Sequence, residues 1–222
     1  MISSMLLPLL LTALSLGAPS PSAEPPVPMT TAAPASLLGG EVMPVGNAQL
    51  LGWAGWPGVG LRYAQGYGDA DAGADLRADY TTGEMEAAGF LRLPLWPAGS
   101  GGFAFRVRAG LYAGFGATWG RYAHRTDTGI LFSPGLAWST SAATGTFALG
   151  LDLESATTFH RGGGLWLAPT LSASVEVPLV GGVTAGARFG LARRWDWGGA
   201  PGALRSPDDA AELVALIGYR IF

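Results

Sequence analysis

Residues 103–119 read FAFRVRAGLYAGFGATW. Their odd positions, Phe103, Phe105, Val107, Ala109, Leu111, Ala113, Phe115, Ala117 and Trp119, are all apolar. The even positions, Ala104, Arg106, Arg108, Gly110, Tyr112, Gly114, Gly116 and Thr118, are small, polar or charged. A period of two held over this length predicts a strand with one oily face and one wet face. Strands of soluble proteins average about five or six residues. A membrane-crossing strand needs roughly 9–11 residues, and barrel strands often run beyond the bilayer. The stretch predicts one stave of a transmembrane barrel.

The composition of the 222-residue chain agrees. Residues are 49% hydrophobic and only 13% charged, with 35 glycines. No uninterrupted apolar run reaches the roughly 18 residues that a spanning helix requires. Interior glycine costs a helix about 1 kcal/mol relative to alanine, so this composition favours strands. There is no cysteine, which excludes disulfides and thiolate metal sites. The formal charge of −3 leaves no basic stripe, so nucleic acid is not expected as a partner.

The amino-terminal stretch MLLPLLLTALSLG, from Met5 to Gly17, has the length of a signal-peptide core and is too short for an anchor. Residues 1–23 are therefore expected to be a signal peptide. Residues 24–46, rich in proline and alanine, are expected to form a flexible leader. The barrel is assigned to residues 47–222.

Within 47–222 the pattern is strand, turn, strand. Residues 212–222 alternate Leu213, Ala215, Ile217, Tyr219 and Ile221 against Glu212, Val214, Leu216, Gly218 and Arg220. Residues 147–159 set Leu149, Leu151 and Leu153 against Gly150, Asp152 and Glu154. Similar alternation marks 183–197, 165–179, 130–138, 84–95 and 69–80. It weakens over 59–67, and residues 49–56 are read as a first strand ended by the turn at Pro57–Gly58. The reading is an all-β, antiparallel up-and-down transmembrane β-barrel of ten strands, with eight as the alternative if the two weak segments lie outside the wall. Parity places the long connections 121–129, 160–164 and 198–211 on one side and short turns on the other.

Tryptophans fall near the predicted strand ends, Trp96 and Trp138 at one end and Trp119, Trp166, Trp195 and Trp197 at the other. Two aromatic girdles are what amphipathic rings prefer at membrane interfaces. With these marks the chain resembles the small bacterial outer-membrane β-barrels, the OmpA/OmpX-like class in the broad sense, over residues 47–222 plus the signal. Its carboxyl end, Gly218-Tyr219-Arg220-Ile221-Phe222, is similar to the terminal signature of that class, although Arg220 stands where an aromatic is common. The resemblance implies a monomer in the outer membrane, with the lipid bilayer as partner and the barrel assembly machinery reading Phe222. It implies no particular activity, since such barrels host many functions.

The wet faces collect Arg62, Arg77, Arg92, Arg106, Arg108, Arg188, Arg194 and Arg220 with Asp71, Asp75, Asp79, Glu84, Glu86, Asp152, Glu154, Glu176 and Glu212. A small barrel is just wide enough inside for side chains to fill it. Charges of both signs there should pair, because an unpaired buried charge costs several kcal/mol. A charge-filled lumen with a structural or surface-interaction role is the expectation, and a narrow channel for small solutes is the alternative. No enzyme is expected. His124 with Asp127 and the Asp208–Asp209 pair supply residue types but no motif. His160 cannot recruit both Ser155 and Glu154, because adjacent strand residues point to opposite faces. No metal spacing and no cofactor loop is present. A soluble barrel with an apolar cavity would need the two faces exchanged.

Overall fold

The computed structural model describes residues 36–81, 83–98, 101–114, 128–142, 144–159, 164–198 and 208–221. Trp119, His124, Asp127, His160 and Phe222 lie outside the described residues. Ten strands follow one another: β1 (Ala48–Trp56), β2 (Gly58–Tyr67), β3 (Ala70–Asp79), β4 (Glu84–Ala98), β5 (Gly101–Gly114), β6 (Thr128–Ala142), β7 (Gly145–Thr158), β8 (Gly164–Pro178), β9 (Val183–Gly198) and β10 (Asp208–Ile221).

Each strand pairs antiparallel with its sequence neighbours, and β1 pairs with β10, so the sheet closes into a barrel. Closure runs from Ala48 opposite Ile221 to Trp56 opposite Leu213. The two weakest segments of the sequence are therefore wall strands, and the count is ten. They read weakly because β1, β2 and β3 are only 9, 10 and 10 residues long, against 14–16 for β5 to β10. Their outward positions also include Ala and Gly in place of Leu.

Short turns join β2 to β3, β4 to β5, β6 to β7 and β8 to β9 at the end that carries Ala48 and Ile221, called here the terminal end. Between β8 and β9 the chain reverses at Val180–Gly182, where Gly181 and Gly182 take φ of 71° and 80°, a conformation that a Cβ disfavours. Strands β1, β3, β5, β7 and β9 finish at the opposite end, the loop end.

Side chains sort by strand parity. On β7, Leu149, Leu151 and Leu153 stand on the outer surface, with Leu151 52% exposed, while Ala148, Asp152 and Glu154 face inward. The outer surface carries exposed large apolar residues on every strand, among them Leu50, Leu61, Leu76, Leu91, Leu111, Phe132, Val175, Phe189 and Ile217. The buried set contains Asp71, Asp75, Glu86, Arg92 and Glu176. This inverts the partition of a soluble protein, where Leu and Ile go inside and Asp, Glu and Arg almost never do. It also rules out the exchanged-face barrel with an apolar cavity.

The expectation of a flexible leader over 24–46 is corrected from Ser36 onward. Ser36 is 1% exposed, Leu37 5%, Leu38 7% and Met43 2%. Leu37 and Leu38 cluster with Leu51, Val214 and Leu216, side chains that β1 and β10 direct inward. The segment has no core of its own, but the barrel wall supplies one.

Closure of β1 on β10 predicts a cross-link. Because antiparallel positions alternate between hydrogen-bonded and non-hydrogen-bonded pairs, one of two adjacent register pairs suits a disulfide. In this cysteine-free chain, cysteines at Trp53 and Leu216, or one step along at Ala54 and Ala215, are expected to cross-link on oxidation in one of the two variants. An eight-stranded barrel lacking β1 would cross-link in neither.

Candidate functional site

The middle of the lumen is a web of arginines and carboxylates delivered by the inward positions of seven strands. Asp75 on β3, 3% exposed, accepts from Arg62 Nη2 of β2 at 3.0 Å and from Arg108 Nε of β5 at 2.8 Å. Arg108 also donates to Glu86 of β4 at 2.7 Å and stands 3.9 Å from Glu154 of β7. The Arg62 guanidinium covers the Phe90 ring at 4.6 Å. Arg106 binds Asp152 with two nitrogens, its Nε at 2.6 Å. On the far side Arg188 pairs with Glu212, and Arg77 Nη2 approaches Glu212 at 3.8 Å. Charge-assisted forks of this kind are the strongest class of protein hydrogen bond, and they fix the geometry of both side chains.

Glycine makes room for them. Gly135 of β6 is the register partner of both Arg106 and Asp152. A Cβ at Gly135 would overlap the Asp152 carboxylate, so the bridge passes over a strand only because that position is bare.

Toward the loop end Arg194 of β9 donates to Glu84 of β4 at 3.3 Å. These strands are diametrically opposed in the ring, so the pair crosses the lumen. Asp79 lies at that end too, where it caps the β3–β4 turn by accepting from Thr81 N at 2.8 Å and Thr81 Oγ1 at 2.6 Å.

Trp166 is a correction. It does not join the girdle: it is 4% exposed inside the barrel, edge-on to Tyr112 at 6.3 Å and beneath the Arg194 guanidinium at 4.3 Å. Strand parity explains this, since Leu165 and Leu167 take the outer face of β8. Trp96, 70% exposed, and Trp138, edge-on to Phe147 at 6.2 Å, stand on the outer surface near the terminal end. Trp195 is partly exposed near the loop end with the Arg193 guanidinium at 5.8 Å. Trp56 and Tyr80, exposed and edge-on at 5.8 Å, add a second aromatic pair at that end. Trp119 and the side chain of Trp197 lie outside the described residues.

The terminal end is organised differently. Glu176 of β8, 2% exposed, accepts from Ser36 Oγ at 3.0 Å, Leu37 N at 2.6 Å and Leu38 N at 3.1 Å. Its carboxylate binds the amino-terminal segment, with Arg92 within electrostatic reach. Arg92 of β4 forks onto Asp71 of β3 at 2.5–3.1 Å and extends Nη1 to the Gly39 carbonyl at 2.6 Å. Asp71 in turn accepts from Met43 N at 3.0 Å. Arg220 lies within electrostatic reach of Glu176 and Glu41.

Above this segment the lumen is hollow. A cavity of about 540 Å³ is floored by Leu37 and Leu38 and bounded at the loop end by Trp56, Pro57 and Thr81. Seven arginines and seven carboxylates line it, so the charges line the lumen without filling it. Sequence reading missed Ser36–Gly46, Glu41 and Phe90. The signal available for the segment was Ser36-Leu37-Leu38-Gly39-Gly40, an apolar and glycine-rich stretch unlike the prolines before it.

Of the residue sets weighed for catalysis, Glu154 faces the cavity, whereas Ser155 on the outer side donates to the Phe132 carbonyl at 2.9 Å. Adjacent strand positions hold them apart. Among the described residues no group of three or more His, Cys, Asp or Glu side chains is placed to hold a metal ion. The chain matches no protein-family model, no curated protein and no solved structure.

The Arg92–Asp71 pair is the most buried, with side-chain exposures of 7% and 0%. Asp71→Ala, which strands the Arg92 charge, is expected to cost about 3–5 kcal/mol in detergent-solubilised unfolding. Asp71→Leu with Arg92→Met is expected to recover much of that loss. Unchanged stability in the single variant would contradict the pairing.

Proposed function

We propose that the protein is a bacterial outer-membrane β-barrel, exported through its amino-terminal signal, that spans the bilayer as a monomer and serves a structural or surface-interaction role. One observation carries the reading: large apolar side chains stand exposed on all ten strands around the whole circumference, while the arginines and carboxylates turn inward. Monomeric soluble proteins rarely leave apolar patches above a few hundred Å² in water, and here the apolar surface has no edge. Lipid tails are the solvent that such a surface fits. Outer-face aromatics near both strand ends, Trp96 and Trp138 at one and Trp56, Tyr80 and Trp195 at the other, support the same placement.

In that orientation the terminal end faces the periplasm, as the short turns there suit. The loop end, where β5, β7 and β9 finish and β6, β8 and β10 begin, then faces outward as the surface available to partners. Among the described residues the lumen arginines are engaged by carboxylates, which leaves them poorly placed to capture a single anion.

A second reading, a narrow channel for small solutes, is favoured by the 540 Å³ cavity with its balanced charged lining.

Expression with the native amino terminus is expected to place the protein in the outer-membrane fraction. There it should resist extraction by carbonate, float with lipid vesicles after purification, and migrate differently on gels with and without boiling. Recovery as a stable monomer without detergent would overturn the proposal.

A further inference from the structure

The terminal half of the lumen is shaped around a piece of main chain. Where the middle of the barrel uses arginine, glutamate and aspartate to occupy space, the wall facing Ser36–Met43 sets Gly66, Gly102, Ala137, Ser139 and Gly218 between the hydrogen-bonding side chains of Glu176, Asp71 and Arg92. Glycine, alanine and serine are among the smallest side chains available. The fit is close on both sides. A Cβ on Gly102 would lie 2.6 Å from the Gly40 carbonyl oxygen, and a Cβ on Gly40 would overlap the Gly102 carbonyl. A Cβ on Gly218 would lie 2.7 Å from Leu37 Cδ2, and one on Gly39 would overlap Ser139 Cβ.

The polar groups are matched as well. Wall side chains take the main-chain donors Leu37 N, Leu38 N, Gly40 N and Met43 N through Glu176, Ser139 Oγ at 3.0 Å and Asp71, while Arg92 takes the Gly39 carbonyl. Ser141 Oγ donates to Glu41 at 2.7 Å. A buried main-chain group left without a partner costs about 1–3 kcal/mol, so these contacts decide where the segment sits. A barrel meant to be closed by its own side chains would not keep this layer bare. Packed protein interiors leave few voids larger than a water molecule, and without the segment this layer would be one.

We propose that Ser36–Gly46 is an internal plug, and that the lumen behind it is a pore for small hydrophilic solutes that this segment closes at the terminal end. The inference rests on the membrane reading above. Between the plug and the loop end lies the cavity; Arg194–Glu84 spans it from wall to wall, and the Arg106–Asp152, Arg108–Glu154 and Arg77–Glu212 pairs reach across its sides. Its equal numbers of arginines and carboxylates suit zwitterions and neutral polar solutes, because a solute of either sign meets both attraction and repulsion. Displacing the plug joins the cavity to the terminal end through the layer of Gly, Ala and Ser.

The test uses the full chain in planar bilayers with potassium chloride, and in vesicles loaded for glycine-driven swelling. Gly40→Leu drives a side chain into the Gly102 carbonyl and leaves every wall strand untouched. Glu176→Ala removes three hydrogen bonds to the segment and puts a small residue in the wall. Losing charged hydrogen bonds of this strength is expected to raise the open fraction at least about tenfold. Both variants should therefore show steady conductance and glycine entry that the parent lacks. A synthetic peptide of residues 33–46, added from the terminal side, should block the Gly40→Leu pore. Variants that insert, keep their heat-modifiable migration and remain as closed as the parent would overturn the plug. A parent that conducts as freely as Glu176→Ala would overturn it equally. Failure of the parent to float with vesicles would count against the membrane reading instead.

Discussion

The buried charges of this wall share one closed lumen, and that lumen depends on the contact between β1 and β10. Without the ladder from Ala48–Ile221 to Trp56–Leu213 the sheet would end in two raw edges of main-chain donors and acceptors. In water such edges aggregate, and in lipid each unsatisfied group costs several kcal/mol. Once the ring is closed, the two-residue period allows only an inside and an outside. The outside can be apolar all the way round because no edge interrupts it. The inside then has to manage all the charge.

It does so in layers. At mid-height, long side chains from strands two or more apart reach across to one another, and bare positions such as Gly135 let the bridges pass. Nearer the loop end Trp166, Tyr112 and Leu131 make a small apolar cluster inside the barrel, with Arg194 stacked above it. Nearer the terminal end the wall is bare and the main chain of Ser36–Gly46 occupies the space. Ten strands enclose more room than eight, and the surplus shows as the 540 Å³ cavity that the web lines between the segment and the loop end.

Most of the wall was legible in the sequence because period two is a local property. Residues 103–114, 130–138 and 147–158 could be assigned to faces one by one, and the placement of Arg106, Arg108, Asp152 and Glu154 followed. What escaped had non-local causes. Strands β1 and β2 are short and rich in Gly and Ala, so their membership rests on register with β10 and β3. Trp166 was placed by residue type against its own parity, and parity prevailed. The role of Glu176 could not be read from β8 alone, because its partners are the amides of residues 37 and 38, some 138 positions away. A proline-rich leader looks unstructured when its composition is judged by itself; the glycines and serines that receive its last part lie on several different strands.

The account stands on the inversion of the two faces, and β7 tests it most directly. Single cysteines can be introduced in turn from Leu149 to Glu154 in this cysteine-free chain, and each variant reconstituted in vesicles with a nitroxide label on the cysteine. Labels at Leu149, Leu151 and Leu153 should collide with oxygen dissolved in the bilayer and be shielded from an aqueous nickel complex. Labels at Gly150, Asp152 and Glu154 should not show that lipid signature. A strict alternation along six consecutive residues is the predicted result. The same aqueous accessibility at Leu149, Leu151 and Leu153 as at their neighbours would contradict it.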